Sequence, residues 1–161
     1  MAHVTITGDP KRLERLLDYV RGSQFEADTS AVLGAAALKQ VQDGFNKSTD
    51  PYGERWQPLR YRRGKPLQKS GRLYRSAATQ PLPRGGTEVG LTASYASYHQ
   101  DGAQPRARKD GSRRSESPKG GPAGIQARPM VPDEDRGLPD KWGRALDTAI
   151  ENLIDRKERS I

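Results

Sequence analysis

The chain has no cysteine among its 161 residues, which excludes disulfides and thiolate metal sites and fits a reducing compartment. Only two histidines are present, His3 and His99, and no His-x3-His pair exists. No metal and no other cofactor is therefore expected. Leu, Val, Ile and Phe together number 26 of 161, below the roughly 20% level at which a highly charged chain begins to favour disorder. No run approaches 18 apolar residues, so neither a membrane span nor a membrane partner is expected. Met1–Pro10 lacks a basic region followed by an apolar stretch, so no signal peptide is expected. Phosphate-cradling glycine patterns and a nucleophile elbow are also missing. A Ser-His-Asp set built from His99 and Asp101 has no supporting frame, and no catalytic residue is assigned.

What is present is positive charge. Lys and Arg number 28 against 20 Asp and Glu, a net charge of +8. This suggests a polyanionic partner or, more blandly, a soluble surface. The scarce apolar residues cluster at the two ends of the chain. A small core is expected, with a long polar middle that neighbours help to order.

Val4 and Ile6 alternate with polar residues, which predicts a short strand. Asp9-Pro10 reads as an N-cap with proline at the first helical position. Leu13, Leu16, Leu17 and Val20 follow at helical spacing, and Gly22 ends the run. A second helix is predicted from Asp28–Ser30, with an apolar stripe of Ala31, Ala35, Leu38, Val41 and Phe45 whose alanines permit a close approach. Residues 46–66 read as irregular chain. Asp50-Pro51-Tyr52-Gly53 is a turn signature within it, and Trp56 is a packing anchor. Lys69–Ala78 predicts one or two helical turns, with Ser70 as cap and Leu73 facing in. Thr79–Leu82 and Thr87–Thr92 predict a β-hairpin turning at Gly85-Gly86, with Val89 and Leu91 on one face. Ile125–Val131 predicts a strand returning to the sheet. A last helix follows Pro139, with Trp142, Ala145, Leu146, Ala149, Ile150, Leu153 and Ile154 spaced three and four apart. Its final turn carries Arg156, Lys157 and Arg159, which suit the negative end of the helix dipole.

The cations fall in two concentrations. Arg60, Arg62, Arg63, Lys65, Lys69, Arg72 and Arg75 occupy a segment without an acidic residue. Arg106, Arg108, Lys109, Arg113, Arg114 and Lys119 lie in a stretch, 103–124, with only Asp110 and Glu116 against them and no large apolar residue. Phosphate contact needs only cations within reach, and Tyr61 and Tyr74 offer stacking surfaces. Acidic faces of neighbouring subunits would use the same guanidinium groups equally well, and the sequence leaves both open. Asp133-Glu134-Asp135 reads as a solvated turn before the last helix; a nuclease that paired such acids with a lysine around Mg²⁺ is a weak alternative.

The order of motifs narrows these options. Phe45-x4-Asp50-Pro51-x-Gly53-x2-Trp56-x-Pro58-Leu59 comes first. Gly64-Lys65-Pro66-Leu67 then runs into Ser70-Gly71-Arg72-Leu73-x2-Ser76. Val89-Gly90, Tyr95-Ala96-x-Tyr98-His99-Gln100-x-Gly102 and Ala127-Arg128-Pro129 complete the series. Over residues 40–131 this resembles the phage virion morphogenesis family, which includes the Mu-type protein G and the P2-type tail completion protein S. Where the family pattern reads Pro-Ala-Arg-Pro-Phe-Leu, this chain has Gln126 and, at the end, Met130-Val131, which keeps the apolar character.

The resemblance implies a structural virion assembly protein of a tailed phage. It would be a tail-completion or neck component at the head–tail junction, assembled in the host cytoplasm. It would form a ring around double-stranded DNA, six-membered rather than twelve-membered, against other neck, connector and tail proteins. No catalytic site transfers. Asp50, Gly53, Trp56, Pro58, Leu59, Ser70, Gly71, Leu73, Tyr95, His99, Gly102, Arg128 and Pro129 become structural positions. Gly53, Gly71, Gly90 and Gly102 serve turns, and Trp56 with Pro58-Leu59 pins a loop. Arg128 braces the returning chain, and the cations become DNA-channel or interface residues. The alternatives are a stand-alone DNA-binding protein and a scaffold or chaperone absent from the mature particle. The expected fold is a single α+β domain over 1–161. Its N-terminal helical part (1–48) and C-terminal helix (132–161) pack on a small antiparallel sheet. Residues 49–131 carry the motifs, and the basic loop spans 103–124.

Overall fold

The computed structural model describes residues 9–59, 63–82, 86–103 and 124–160. The predicted strand at Val4–Ile6 and most of the basic loop lie outside them. The element order is α1 (Pro10–Arg21), α2 (Ser23–Lys47), α3 (Arg72–Arg75), β1 (Ala77–Pro81), β2 (Thr87–Leu91), α4 (Ala96–Gln100) and α5 (Asp140–Ser160). Helices from both ends of the chain pack with a two-stranded antiparallel sheet, an α+β arrangement. No helix of the described residues is long and apolar enough to cross a membrane.

Asp9 caps α1 by accepting the Lys11 amide at 3.0 Å, and Pro10 takes the first turn. Gly22 ends α1, its N–H donating to Tyr19 O, and its own carbonyl accepts from Phe25 N as α2 begins. The second helix thus starts at Ser23, not near Asp28. Tertiary contacts account for the difference. Phe25 meets Tyr19 edge-on at 5.5 Å. Asp28 accepts from the Tyr19 hydroxyl at 2.9 Å and pairs with Lys157 of α5 at 3.3 Å. These bonds, with a third from Gln24, hold the Asp28 carboxyl below the ordinary aspartate pKa.

The buried stripe of α2 keeps the expected Val41 and Phe45 but differs over its first half. It is Ser30, Gly34, Ala37, Val41 and Phe45, while Ala31 and Ala35 are exposed. The hairpin lies across the first half of the helix. A Cβ at Gly34 would stand 3.0 Å from Thr87 Oγ1 and 3.4 Å from Thr79 Cβ. Only the smallest residues allow that approach. Ser30 Oγ donates to the Gly86 carbonyl at 2.8 Å and ties the helix to the hairpin turn.

The hairpin pairs Ala77–Pro81 with Leu91–Thr87, Thr79 facing Val89. Ala77 and Ala78 belong to this strand, so the predicted helix near 69–78 shrinks to one turn at 72–75. Val89 and Leu91 both pack against the core. The chain from Ile125 to Val131 does not join the sheet. It makes one antiparallel bridge, Ala103 with Ile125, and then runs along α4. Pro129 has no N–H for a ladder, and a side chain of α4 takes over that pairing, as described below.

The core gathers Ala37, Val41 and Phe45 of α2 with Trp56, Leu73, Ala96, Met130 and Trp142. Phe45 is fully buried and meets Trp56 and Tyr74 edge-on at 5.5 and 5.6 Å. The expected burial at position 130 holds, since Met130 is only 3% exposed. Trp142 and Leu153 are the buried residues of α5, which packs along α2.

Candidate functional site

The first motif builds a closed turn. Asp50 is buried, and its Oδ1 accepts the Glu54 amide at 2.7 Å. Its own N–H donates to Glu54 O at 2.8 Å. Gly53 takes φ +93° there. Trp56 N–H returns to Ser48 O at 2.9 Å, and the indole Nε1 donates to Pro129 O at 3.0 Å. The chain after Trp56 then divides: Leu59 is half-buried, whereas Pro58 is exposed. Leu59 therefore carries the packing that the sequence assigned to the pair.

The second motif surrounds α3. Its N-cap is Gly71 in the left-handed region, not Ser70, although Ser70 Oγ still lies 3.4 Å from the Arg72 amide. Leu73 points into the core, and Arg75 Nη2 donates to Ser70 O at 3.0 Å. Leu67 has φ +60°, an uncommon conformation for a branched residue.

The third and fourth motifs are clasped together. Arg128 N–H donates to His99 O at 2.6 Å. The Gln100 side chain acts as a substitute strand: Oε1 accepts from Met130 N at 2.7 Å and Val131 N at 3.3 Å, and Nε2 donates to Val131 O at 2.9 Å. Gly102, at φ +78°, has no room for a side chain. An added Cβ would sit 2.9 Å from Ile125 O and 3.0 Å from Ala127 N. Arg128 Nη2 also donates to Gln57 O at 3.2 Å, back to the first motif.

All four motifs meet at one cavity of about 290 Å³. Its walls are Leu59, Leu67, Lys69, Ser70, Leu73, Tyr95, His99 and Arg128. Leu59, Leu67, Leu73 and Tyr95 give it aliphatic and aromatic surface, and its charged groups are cations; no carboxylate lines it among the described residues. The Tyr95 ring stands edge-on to His99 at 6.0 Å, and the Arg72 guanidinium lies 5.9 Å from the Tyr95 centroid. Burial, and then the Arg128 charge, pulls the His99 pKa below the ordinary histidine value. That shift favours the neutral imidazole, and its buried Nδ1 has no hydrogen-bond partner among the described residues.

A family model, that of the phage virion morphogenesis family, matches residues 9–155, from the cap of α1 nearly to the end of α5. The chain belongs to that family. No curated protein and no solved structure gives a significant match. Membership associates the protein with the phage particle and its assembly, and the matched span contains all four clasped motifs.

The cationic positions divide. Arg63 is exposed, Lys65 Nζ donates to Asn46 O at 3.0 Å, and Arg72 lies over the Tyr95 ring. Arg60, Arg62, Arg106, Arg108, Lys109, Arg113, Arg114 and Lys119 lie outside the described residues. The acidic turn at Asp133–Asp135 is pinned by Tyr52, whose hydroxyl accepts from Asp133 N and lies within bonding distance of Gly137 O, each at 3.0 Å. Arg136 stacks on the same ring at 3.7 Å. No group of three or more His, Cys, Asp or Glu suited to a metal occurs among the described residues. Sequence reading missed Lys69 and Leu67 as cavity walls and Gln100 as the clasp. The only signal for Gln100 was its place inside the third motif.

Proposed function

We propose that this virion morphogenesis protein is a non-enzymatic tail-completion or neck subunit, assembled as a ring at the head–tail junction around the DNA path. The observation that carries the reading is the convergence of the four motifs. Their residues mostly hold loops in place: Asp50 closes a turn, Trp56 and Gln100 tie distant segments, and Gly102 admits a close crossing. What they build is a frame around a hollow lined by leucines and cations, suited to holding a partner.

The ring is supported by what the monomer leaves uncovered. Leu13, Leu17, Val20, Leu82, Ile125 and Leu138 are each at least 40% exposed, and subunit contacts would bury such groups. Six protomers fit a tail of sixfold symmetry better than twelve. Cations that face the channel would meet phosphate without reading sequence.

Imaging of purified particles tests the proposal. The expected result is density for this chain in a closed ring between head and tail. Absence from mature particles would overturn it in favour of a scaffold. A stand-alone DNA-binding protein would instead hold free duplex tightly, with steep salt dependence. A nuclease would cleave DNA when supplied with Mg²⁺.

A further inference from the structure

The amphipathic helix α1 presents its apolar side outward. None of its residues is buried, and Leu13, Leu17 and Val20 are 57%, 41% and 41% exposed. Its other side attaches it to the molecule, with Leu16 half-buried and Tyr19 edge-on to Phe25. Tyr19 bonds Asp28 and lies under Lys157 at 4.6 Å, while Arg12 reaches the Glu158 backbone and carboxylate of α5. The three aliphatics recur at four and three residues and so form a ridge along the helix.

A groove of about 560 Å³ opens between the start of α2 and the hairpin. Ala27, Ala31, Pro81 and Leu82 give it an apolar lining, and Leu82 is 45% exposed. Its base is rigid, because Ser30 bonds the hairpin turn at Gly86. Glu26 is its one ionisable wall residue among those described, and Arg21 flanks the ridge at the end of α1.

Ridge and groove lie on opposite sides of α2. The helix turns by about 100° per residue, which puts Ser23, Ala27, Ser30 and Ala31 on the groove side. Phe25 and Asp28, the residues that Tyr19 engages, are on the other. The α1 ridge therefore does not fill the groove of its own chain. One head-to-tail contact between copies would bury both apolar surfaces and bring Arg21 toward Glu26. A repeated contact of that kind closes into a ring when its rotation allows.

We infer that the Leu13–Leu17–Val20 ridge of one protomer seats in the α2–hairpin groove of a second copy of this chain. The inference rests on the ring reading and names its interface. Sedimentation velocity on the full chain tests it with two surface variants: Leu17→Glu, which spoils the ridge, and Ala31→Trp, which fills the groove. Both positions are exposed, and thermal melts matching the unmodified chain confirm that each variant folds. The unmodified chain is expected to sediment as a closed oligomer, and each variant to associate at least tenfold more weakly. Mixed in equal amounts, the variants are expected to form 1:1 dimers and nothing larger, since each pair retains one intact ridge and one intact groove.

Full assembly by either variant would overturn this interface while leaving the ring reading standing. A mixture that remained monomeric would exclude head-to-tail pairing. A drop in melting temperature for Leu17→Glu, without any change in association, would assign the ridge a cover from its own chain. An unmodified chain that stayed monomeric at every concentration would remove the ring reading itself.

Discussion

Trp56 and Pro129 are joined by a hydrogen bond of 3.0 Å from the indole Nε1 to the proline carbonyl, across 73 positions of sequence. The same indole lies against Phe45 at 5.5 Å. One side chain thus fastens the first motif, the last motif and the middle helix. Replacing it separates two effects. Trp56→Phe keeps a ring in the core and loses the bond, and is expected to cost about 1 kcal/mol plus the smaller volume. Trp56→Ala is expected to cost about 3–5 kcal/mol. Urea denaturation checks both.

Gln100 makes three bonds to the backbone of residues 130 and 131. Gln100→Leu preserves volume and removes them all. It is expected to destabilise the protein by about 1–3 kcal/mol for each backbone group left buried and unpaired. Hydrogen exchange is expected to quicken first at the Met130 amide.

Gly102→Ala is expected to destabilise by about 1–3 kcal/mol, because it adds a Cβ where φ is +78° and the Ile125 carbonyl stands 2.9 Å away. At Gly53 φ is also positive, at +93°, but an added Cβ meets nothing within 4 Å. Gly53→Ala is therefore expected to cost less. Paired thermal melts compare the two.

His99 predicts an acid sensitivity. Its folded pKa lies below the ordinary 6.5, so the unfolded chain binds its proton more readily. The resulting contribution to stability is complete above pH 6.5 and is lost as pH falls through the lowered folded value. Stability measured by urea at closely spaced pH is expected to decline across that window. His99→Phe is expected to flatten that part of the profile.

Tyr19 predicts the opposite limb. Burial, followed by its bond to Asp28, pushes its hydroxyl up to about 12. Stability from this source is complete below pH 10 and is lost as pH rises toward 12. Ultraviolet titration is expected to show a late-titrating component, and Tyr19→Phe to remove it.

Some of the architecture was legible in short range. Asp9-Pro10 and Gly22 bound α1 because caps act on adjacent amides, and Asp50–Gly53 is a turn for the same local reason. The motif series marks Trp56, His99 and Arg128 as structural positions, and the structure joins them through Pro129, the His99 carbonyl and Gln57. The stripe of α2 follows hydrophobicity at Val41 and Phe45 but not in its first half. Hydrophobicity favours Ala31 and Ala35, whereas the close crossing of the hairpin selects Ser30 and Gly34. Residues 125–131 form no returning strand, because a side chain, Gln100, supplies bonds that sequence patterns assign to backbone.

By itself, then, the sequence determined the family, the basic balance, the caps of α1 and the Asp50–Gly53 turn, all of which depend on composition or on neighbours a few residues apart. Tertiary structure decided what those elements face. Periodicity marks Leu13, Leu17 and Val20 as one side of a helix, but Tyr19 and Arg12, bonded to α2 and α5, turn that side outward. The direction of an amphipathic helix is set by the contacts on its other face, and those belong to residues far away in the chain.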